Sequence, residues 1–216
     1  MASKEYEAIL KILLEAVQSV NSTGQQIPEG IPTGVSNRHI HLSQVDLDIL
    51  FGSGYQLTPI RDLTQPGQFA CRETVTICGP KGAIEKIRVL GPVRSRTQIE
   101  ILAGDGFKLG VRAPVRLSGD LAGTPGITII GPKGSVHTTE GLIVAQRHIH
   151  MLPEEAAAYG VNDGQTVSIQ IDGPRGGTLA NVVIRATDTS ALECHVDTEE
   201  ANAMDISSSA CIKIIK

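Results

Sequence analysis

Between residues 4 and 20, in KEYEAILKILLEAVQSV, the apolar positions Tyr6, Ile9, Leu10, Leu13, Val17 and Val20 recur at helical spacing, with Lys4, Glu7, Lys11, Glu15 and Gln18 mostly opposite. The pattern predicts an amphipathic helix, with Ser3 as a candidate N-cap. The stretch NSTGQQIPEGIPTG that follows shows no apolar period and is rich in Gly, Pro and small polar residues, so residues 21–33 read as a linker. A helix tethered in this way either packs on its own chain or a second copy, or docks on another protein.

From residue 35 the texture changes to short β-branched runs broken by turn residues, as in TVTICGPKGAIEKIRVLGP, GITIIGPKGSVHTTEGLIV and QTVSIQIDGPRGGTLANVVIRAT. The tetrapeptide Gly-Pro-basic-Gly occurs at 79–82, 131–134 and 173–176. Proline presets the first turn dihedral and glycine accepts a positive one, so each copy marks a β-hairpin. Helical pattern in this region is confined to short pieces, LSQVDLDILFG and LPEEAAAYG. Many short strands with regular turns predict a mainly β chain built as a barrel or paired barrels, capped by short α-helices.

At 216 residues with 41 % hydrophobic content, the chain has enough apolar side chains for one large or two small cores. A net charge of -4 with scattered Lys and Arg, and only 3 % aromatics, argue against a nucleic-acid partner. No apolar run approaches the roughly 20 residues of a membrane helix and no secretory leader is evident, which points to the cytosol. Cys71, Cys78, Cys194 and Cys211 form no CxxC pair or disulfide framework and read as reduced, mostly buried thiols. Cys194 adjoins His195, but neighbouring strand residues point to opposite faces, which weakens any nucleophile–base reading.

The chain contains an internal repeat. SNRHIHLS at 36–43 and AQRHIHML at 145–152 each place Arg-His-Ile-His ahead of a short helix, a Gly-Pro-basic-Gly hairpin and a further strand. Aligning the hairpins at Gly79 and Gly173, with one residue of slack, sets Glu100 opposite His195. Strand residues i and i+2 share a face, so His39 and His41 converge, as do His148 and His150. Imidazoles at that separation, completed by a carboxylate or a third imidazole, suit zinc or a similar divalent ion. Two sites are therefore expected: His39, His41 and Glu100, and His148, His150 and His195. Three protein ligands leave a position open, which is the pattern of a catalytic rather than a structural ion. The sixth histidine, His137, follows a hairpin turn and is expected to be solvated.

Guanidinium groups lie close in sequence to this chemistry: Arg88, Arg94 and Arg96, of which Arg94 and Arg96 shortly precede Glu100. Arginine near a metal can clamp phosphate through two hydrogen bonds. There is no GxSxG, Walker loop or GxGxxG in a strand–helix context. Metal-assisted acyl or phosphoryl chemistry on an anionic substrate is what these residues leave.

The segments GVSNRHIHLS, GPVRSRTQIEI, APVRLSGDLAGTPGITIIGPKGSV, IVAQRHIHM and HVDTEEANA together resemble the PduL-type phosphotransacylase family, phosphate propanoyltransferase, over about residues 33–215. The resemblance implies transfer of an acyl group between coenzyme A and inorganic phosphate, typically propanoyl-CoA to propanoyl phosphate, at a site of two zinc ions. It implies two β-barrels, with a first strand near residues 28–37 joining the C-terminal one, so that residues 34–37 and 146–216 form one barrel and 38–145 the other. It carries the metal ligands onto His39, His41, Glu100, His148, His150 and His195, and the phosphate contact onto Arg94. Coenzyme A contacts fall on Ser36, Arg61, Arg88, Leu90 and Asn202. The family often carries an N-terminal amphipathic extension that targets it to a bacterial microcompartment, which residues 1–20 resemble, and a homodimer is the expected assembly.

Two other readings make different predictions. A zinc thioesterase would share the metals but use water, and so would not need Arg94 as a phosphate clamp. A microcompartment adaptor stapled by metal would have closed, four-ligand sites.

Overall fold

The computed structural model describes residues 30–207 and 210–215, and both the helix expected over residues 4–20 and the linker as far as residue 29 lie outside the described residues. The elements run β1 (Ile31–Ser36), β2 (His39–Ser43), α1 (Gln44–Phe51), β3 (Pro59–Asp62), β4 (Phe69–Cys78), β5 (Ala83–Arg94), β6 (Gln98–Ile101), α2 (Asp105–Leu109), β7 (Val115–Arg116), β8 (Thr128–Ile130), β9 (Ser135–His137) and β10 (Leu142–Ala145). They continue as β11 (His148–Met151), α3 (Pro153–Tyr159), β12 (Thr166–Ile171), β13 (Gly177–Ala186), β14 (Glu193–Asp197), α4 (Thr198–Met204) and β15 (Cys211–Ile215). The chain is mainly β, as the pattern predicts. Among the described residues no helix is long and apolar enough to cross a membrane.

Two units share one plan. The first is a closed barrel, β1-β14-β11-β13-β12-β15, and the second a nine-stranded sheet containing the run β10-β6-β2-β5-β4-β8. Reading the runs side by side, the pairings match in direction at every step: parallel, antiparallel, parallel, antiparallel, antiparallel. The sequence repeat is thus a repeat of ladders.

Closure distinguishes the two. In the barrel, β15 pairs both β12 and β1, with Ile31 opposite Ile212. Its counterpart β8 has only three residues and spends its second edge on β9, so the sheet remains open. β1 begins at Ile31, inside the segment expected to be linker, because Ile31 is fully buried and Pro32 sits at the strand's start, where a missing N–H is tolerated. Gly-Pro composition there reflects a strand entry rather than a connection.

The units also exchange a strand. β1 immediately precedes β2 in sequence but pairs with β14 of the barrel, while β10 immediately precedes β11 but pairs with β6 of the sheet. Both crossings fall just before Arg-His-Ile-His, so the two histidine strands start side by side at the seam. Period-2 alternation then sends Ile40 and Ile149 into separate cores, each fully buried and worth about 1.5–3 kcal/mol.

All three Gly-Pro-basic-Gly segments form hairpins, joining β4 to β5, β8 to β9 and β12 to β13. Two of them also finish a helix. The N–H of Lys81 donates to the Leu109 carbonyl at 3.1 Å, and that of Lys133 to the Leu50 carbonyl at 3.0 Å, supplying partners that the C-terminal carbonyls of α2 and α1 lack. A Cβ on Gly79 would lie 2.3 Å from the Leu109 oxygen, which is why that corner is glycine.

Candidate functional site

The arginine of each Arg-His-Ile-His anchors its strand to the helix behind it. Arg38 Nε donates to Asp105 Oδ2 of α2 at 2.5 Å, and Arg147 Nε pairs with Glu200 Oε1 of α4 at 2.6 Å. Glu200 also forms a capping box with Asp197 at the start of α4, so that helix is tied to the strand at its first turn.

Backbone carbonyls at the two crossings set the first imidazoles. His39 Nδ1 donates to the Asn37 carbonyl at 2.7 Å and His148 Nδ1 to the Gln146 carbonyl at 2.8 Å. Each ring therefore presents Nε2 away from its own backbone. The third candidate donors arrive by register: Glu100 lies directly across the β2–β6 ladder from His39, and His195 directly across the β11–β14 ladder from His148. The result is two groups, His39–His41–Glu100 and His148–His150–His195, with the donor atoms of each within 4.8 Å of one another.

Their charge states differ. Burial lowers His148 to about 4 and His150 to about 3, with the neighbouring imidazoles and Arg185 acting in the same direction. These rings are neutral at physiological pH, and the Nε2 atoms of His148 and His150 stand 3.1 Å apart. Burial likewise takes His41 to about 3, helped by His39 and Arg94. Burial opposes charge on His39 and Glu100 too, but the two face each other at 3.3 Å, and their attraction raises the imidazole and holds the carboxyl well below the usual carboxylate range. The donor set fits a divalent cation: ring nitrogens gathered within 4.8 Å, those of His41, His148 and His150 held neutral by burial, and one carboxylate for charge. Glu100 and His148 act on each other electrostatically, so the two groups are neighbours across the seam.

A cavity of about 920 Å³ opens over both groups. Arg94 lines it, with Nη2 donating to His41 Nε2 at 2.9 Å and Nη1 to Ser118 Oγ at 2.9 Å. Burial lowers its guanidinium from the ordinary value. Ser36, Arg61, Arg88 and Leu90 also line the cavity, and Arg88 is held by the Cys71 and Arg72 carbonyls at 3.0 and 2.8 Å. Asn202 does not; it is exposed on α4. Arg96, expected near the same chemistry, instead turns outward to pair with Glu140.

Cys194 points the other way from His195, into the barrel core, where burial pushes its thiol up to about 12. It offers no thiolate. Cys211 is exposed, unlike the buried Cys71 and Cys194. His137 is exposed and contacts Thr128 Oγ1 at 3.0 Å.

Four lining or supporting residues were not singled out from the sequence. Gln98 donates to Glu100 Oε1 at 2.6 Å and to Ser118 Oγ at 2.8 Å, and accepts from Gly119 N–H at 2.8 Å. Glu193 accepts from His195 Nε2 at 2.5 Å. Arg185, opposite His150 in the β11–β13 register, lines the cavity without a hydrogen bond or ion pair to any described residue. The signal that would have found Gln98 and Glu193 is the period-2 spacing from Glu100 and His195. For Ser118 and Arg185 no local pattern exists.

The model of the phosphate propanoyltransferase family matches residues 32–207. A phosphate propanoyltransferase of Thermotoga maritima is 56 % identical over 188 residues, covering 87 % of this chain and 90 % of its own. Another, from Rhodobacter capsulatus, is 50 % identical over 206 residues, covering 95 % and 96 %. One from Lachnoclostridium phytofermentans is 44 % identical over 216 residues, spanning the full length of both.

Proposed function

The chain belongs to the phosphate propanoyltransferase family, and we propose that it interconverts a short acyl-CoA, propanoyl-CoA, and inorganic phosphate with acyl phosphate and coenzyme A at a two-metal site between its β units. The observation that carries this reading is Arg94, a half-buried guanidinium hydrogen-bonded to an imidazole of one donor group and facing the cavity that both groups share.

His39, His41 and Glu100 would hold one ion, and His148, His150 and His195 the other. Bound divalent ions, of which zinc suits these donors, supply Lewis acidity and charge neutralisation for an anionic reactant. Arg94 orients phosphate by paired hydrogen bonds, and Ser118 keeps that guanidinium from swinging away. A phosphate oxygen attacks the thioester carbonyl, a C–O bond forms, the C–S bond breaks, and the electron pair leaves on the CoA sulfur. Arg185, with no ion pair among the described residues, adds a positive charge to the same cavity, which favours bringing anionic phosphate to the thioester carbonyl. No side chain need serve as nucleophile, consistent with the high Cys194 value.

Ser36, Arg61, Arg88 and Leu90 form the wall along which coenzyme A would lie, with Arg61 and Arg88 complementing its phosphates. Asn202 stands apart from that wall and would reach coenzyme A only beyond the cavity. The amphipathic pattern of residues 4–20 supports docking in a bacterial microcompartment, and a homodimer is the assembly this reading takes.

Free-thiol release from propanoyl-CoA tests the reading. The expected result is release that requires inorganic phosphate, disappears on chelation and returns with zinc. Release indifferent to phosphate makes the protein a hydrolase, and no release from any short acyl-CoA overturns the enzymatic reading.

A further inference from the structure

The two donor groups differ at one matched position, and the difference is chemically reciprocal. Across the ladder from the second histidine of each pair stands Gln98, opposite His41, and Glu193, opposite His150. In the sheet unit the third donor is the carboxylate Glu100, and the residue two before it is an amide that donates to it. In the barrel unit the third donor is the imidazole His195, and the residue two before it is a carboxylate that accepts from it. Exchanging ligand type has been accompanied by exchanging the hydrogen-bond sense of the neighbour.

Glu193 is itself held from two sides. Its Oε1 accepts from Thr64 Oγ1 at 2.9 Å, in the loop between β3 and β4 of the other unit. Beside Thr64, Gln65 is buried and makes a two-way contact with the backbone of Ala191, donating to its carbonyl at 2.9 Å and accepting from its N–H at 3.2 Å. On the opposite flank is Gly34 of β1, where a Cβ would lie 2.7 Å from Glu193 Cδ. Two hydrogen bonds thus orient the carboxylate, with Oε2 2.5 Å from His195 Nε2.

We infer that Glu193 is the positioning carboxylate of the second metal site: it accepts a hydrogen bond from Nε2–H of His195, leaves Nδ1 as the donor toward the ion shared with His148 and His150, and is held there by Thr64 across the seam. An imidazole ligand whose other nitrogen is fixed by a carboxylate has its tautomer and ring orientation set and its basicity raised. Because Thr64 belongs to the loop that also brings Leu63 and Gln68 to the cavity wall, the second site is completed by the unit that holds the first. The inference rests on the two-metal reading above.

The test is metal affinity, measured by competition with a chromophoric chelator on the zinc-loaded protein and by the visible absorption of the cobalt-substituted protein. Wild type should hold two ions. Glu193→Ala should loosen one of them by about 10–100-fold and shift one cobalt band, leaving the other ion as it was, which also reports that the variant is folded. Gly34→Ala, which displaces the carboxylate without removing it, should loosen the same ion, and Thr64→Val should do so more weakly. In a His195→Ala background, Glu193→Ala should add nothing. Unchanged affinity of both ions in Glu193→Ala overturns the inference, as does a further loss in the His195→Ala background, which would make Glu193 a ligand. A wild type that holds fewer than two ions overturns the two-metal reading itself and this inference with it.

Discussion

Glu100 and His195 occupy the same place in the two halves of the molecule, each standing directly across an antiparallel ladder from the first histidine of an Arg-His-Ile-His strand. The equivalence puts a carboxylate into one donor group and a third imidazole into the other, so the two groups differ in charge while sharing geometry. Within the sheet unit, Glu100 is the only anionic donor of its group.

Glu100→Gln should therefore weaken one ion selectively. The amide keeps the shape but cannot neutralise a divalent charge, and Gln98, which donates to Glu100, would meet another amide. We expect a loss of at least about tenfold in the affinity of one ion, with the other retained, read by metal content after dialysis against graded chelator.

Arg94→Ala should cost about 10²–10³ in kcat/KM for phosphate, the scale of losing one well-placed donor to developing charge. Arg94→Lys should restore only part of it, since an ammonium cannot present the planar fork that holds Ser118 and a phosphate together. Steady-state kinetics with phosphate varied at saturating acyl-CoA checks both. An equal loss in the metal content of Arg94→Ala would reassign the arginine to holding the donors.

Away from the cavity, Glu73 is a buried carboxylate that organises the chain between α1 and β3. Burial opposes its ionisation, but hydrogen bonds from Thr58 and from the Tyr55 hydroxyl, at 2.9 Å, more than offset this and lower its pKa. A depressed folded-state value means stability that is present above the unfolded carboxylate pKa, about 4.3, and lost as pH falls through the folded one. Glu73→Gln should be less stable than wild type by about 1–3 kcal/mol at neutral pH, and the gap should narrow below about pH 4. Urea unfolding across pH 3–7 reads it.

Gly79→Ala should destabilise the sheet unit by about 1–3 kcal/mol, because the added methyl would meet the Leu109 carbonyl of α2 at 2.3 Å and force the hairpin tip off the helix. Gly131→Ala should do the same at Leu50, where the contact is 2.5 Å, and the two losses should add, since they fall on different helices. Thermal unfolding of the single and double variants measures this.

Much of the architecture is legible because strands and tight turns are local. Three Gly-Pro-basic-Gly motifs are three hairpins. Around Ile31 the local pattern of Pro32 and Gly34 reads as a connection, whereas the family resemblance placed a strand there, and β1 forms because β14 and β15 are beside it. Gly34 is glycine because a carboxylate 159 positions away in sequence needs its space, Glu193. No window of neighbouring residues contains that information.

By itself, the sequence determined which histidines share a face, because side chains in a strand alternate with period two, and it determined that the pattern occurs twice, because the repeat is written in the chain. It also placed Glu100 and His195 in correspondence. Only the tertiary structure decided that one unit closes and the other does not, and that Arg94, Ser118 and Arg185 meet at the seam. Those choices depend on ladders between distant segments and on a short β8 that pairs outward, energies that exist only once the strands have found each other.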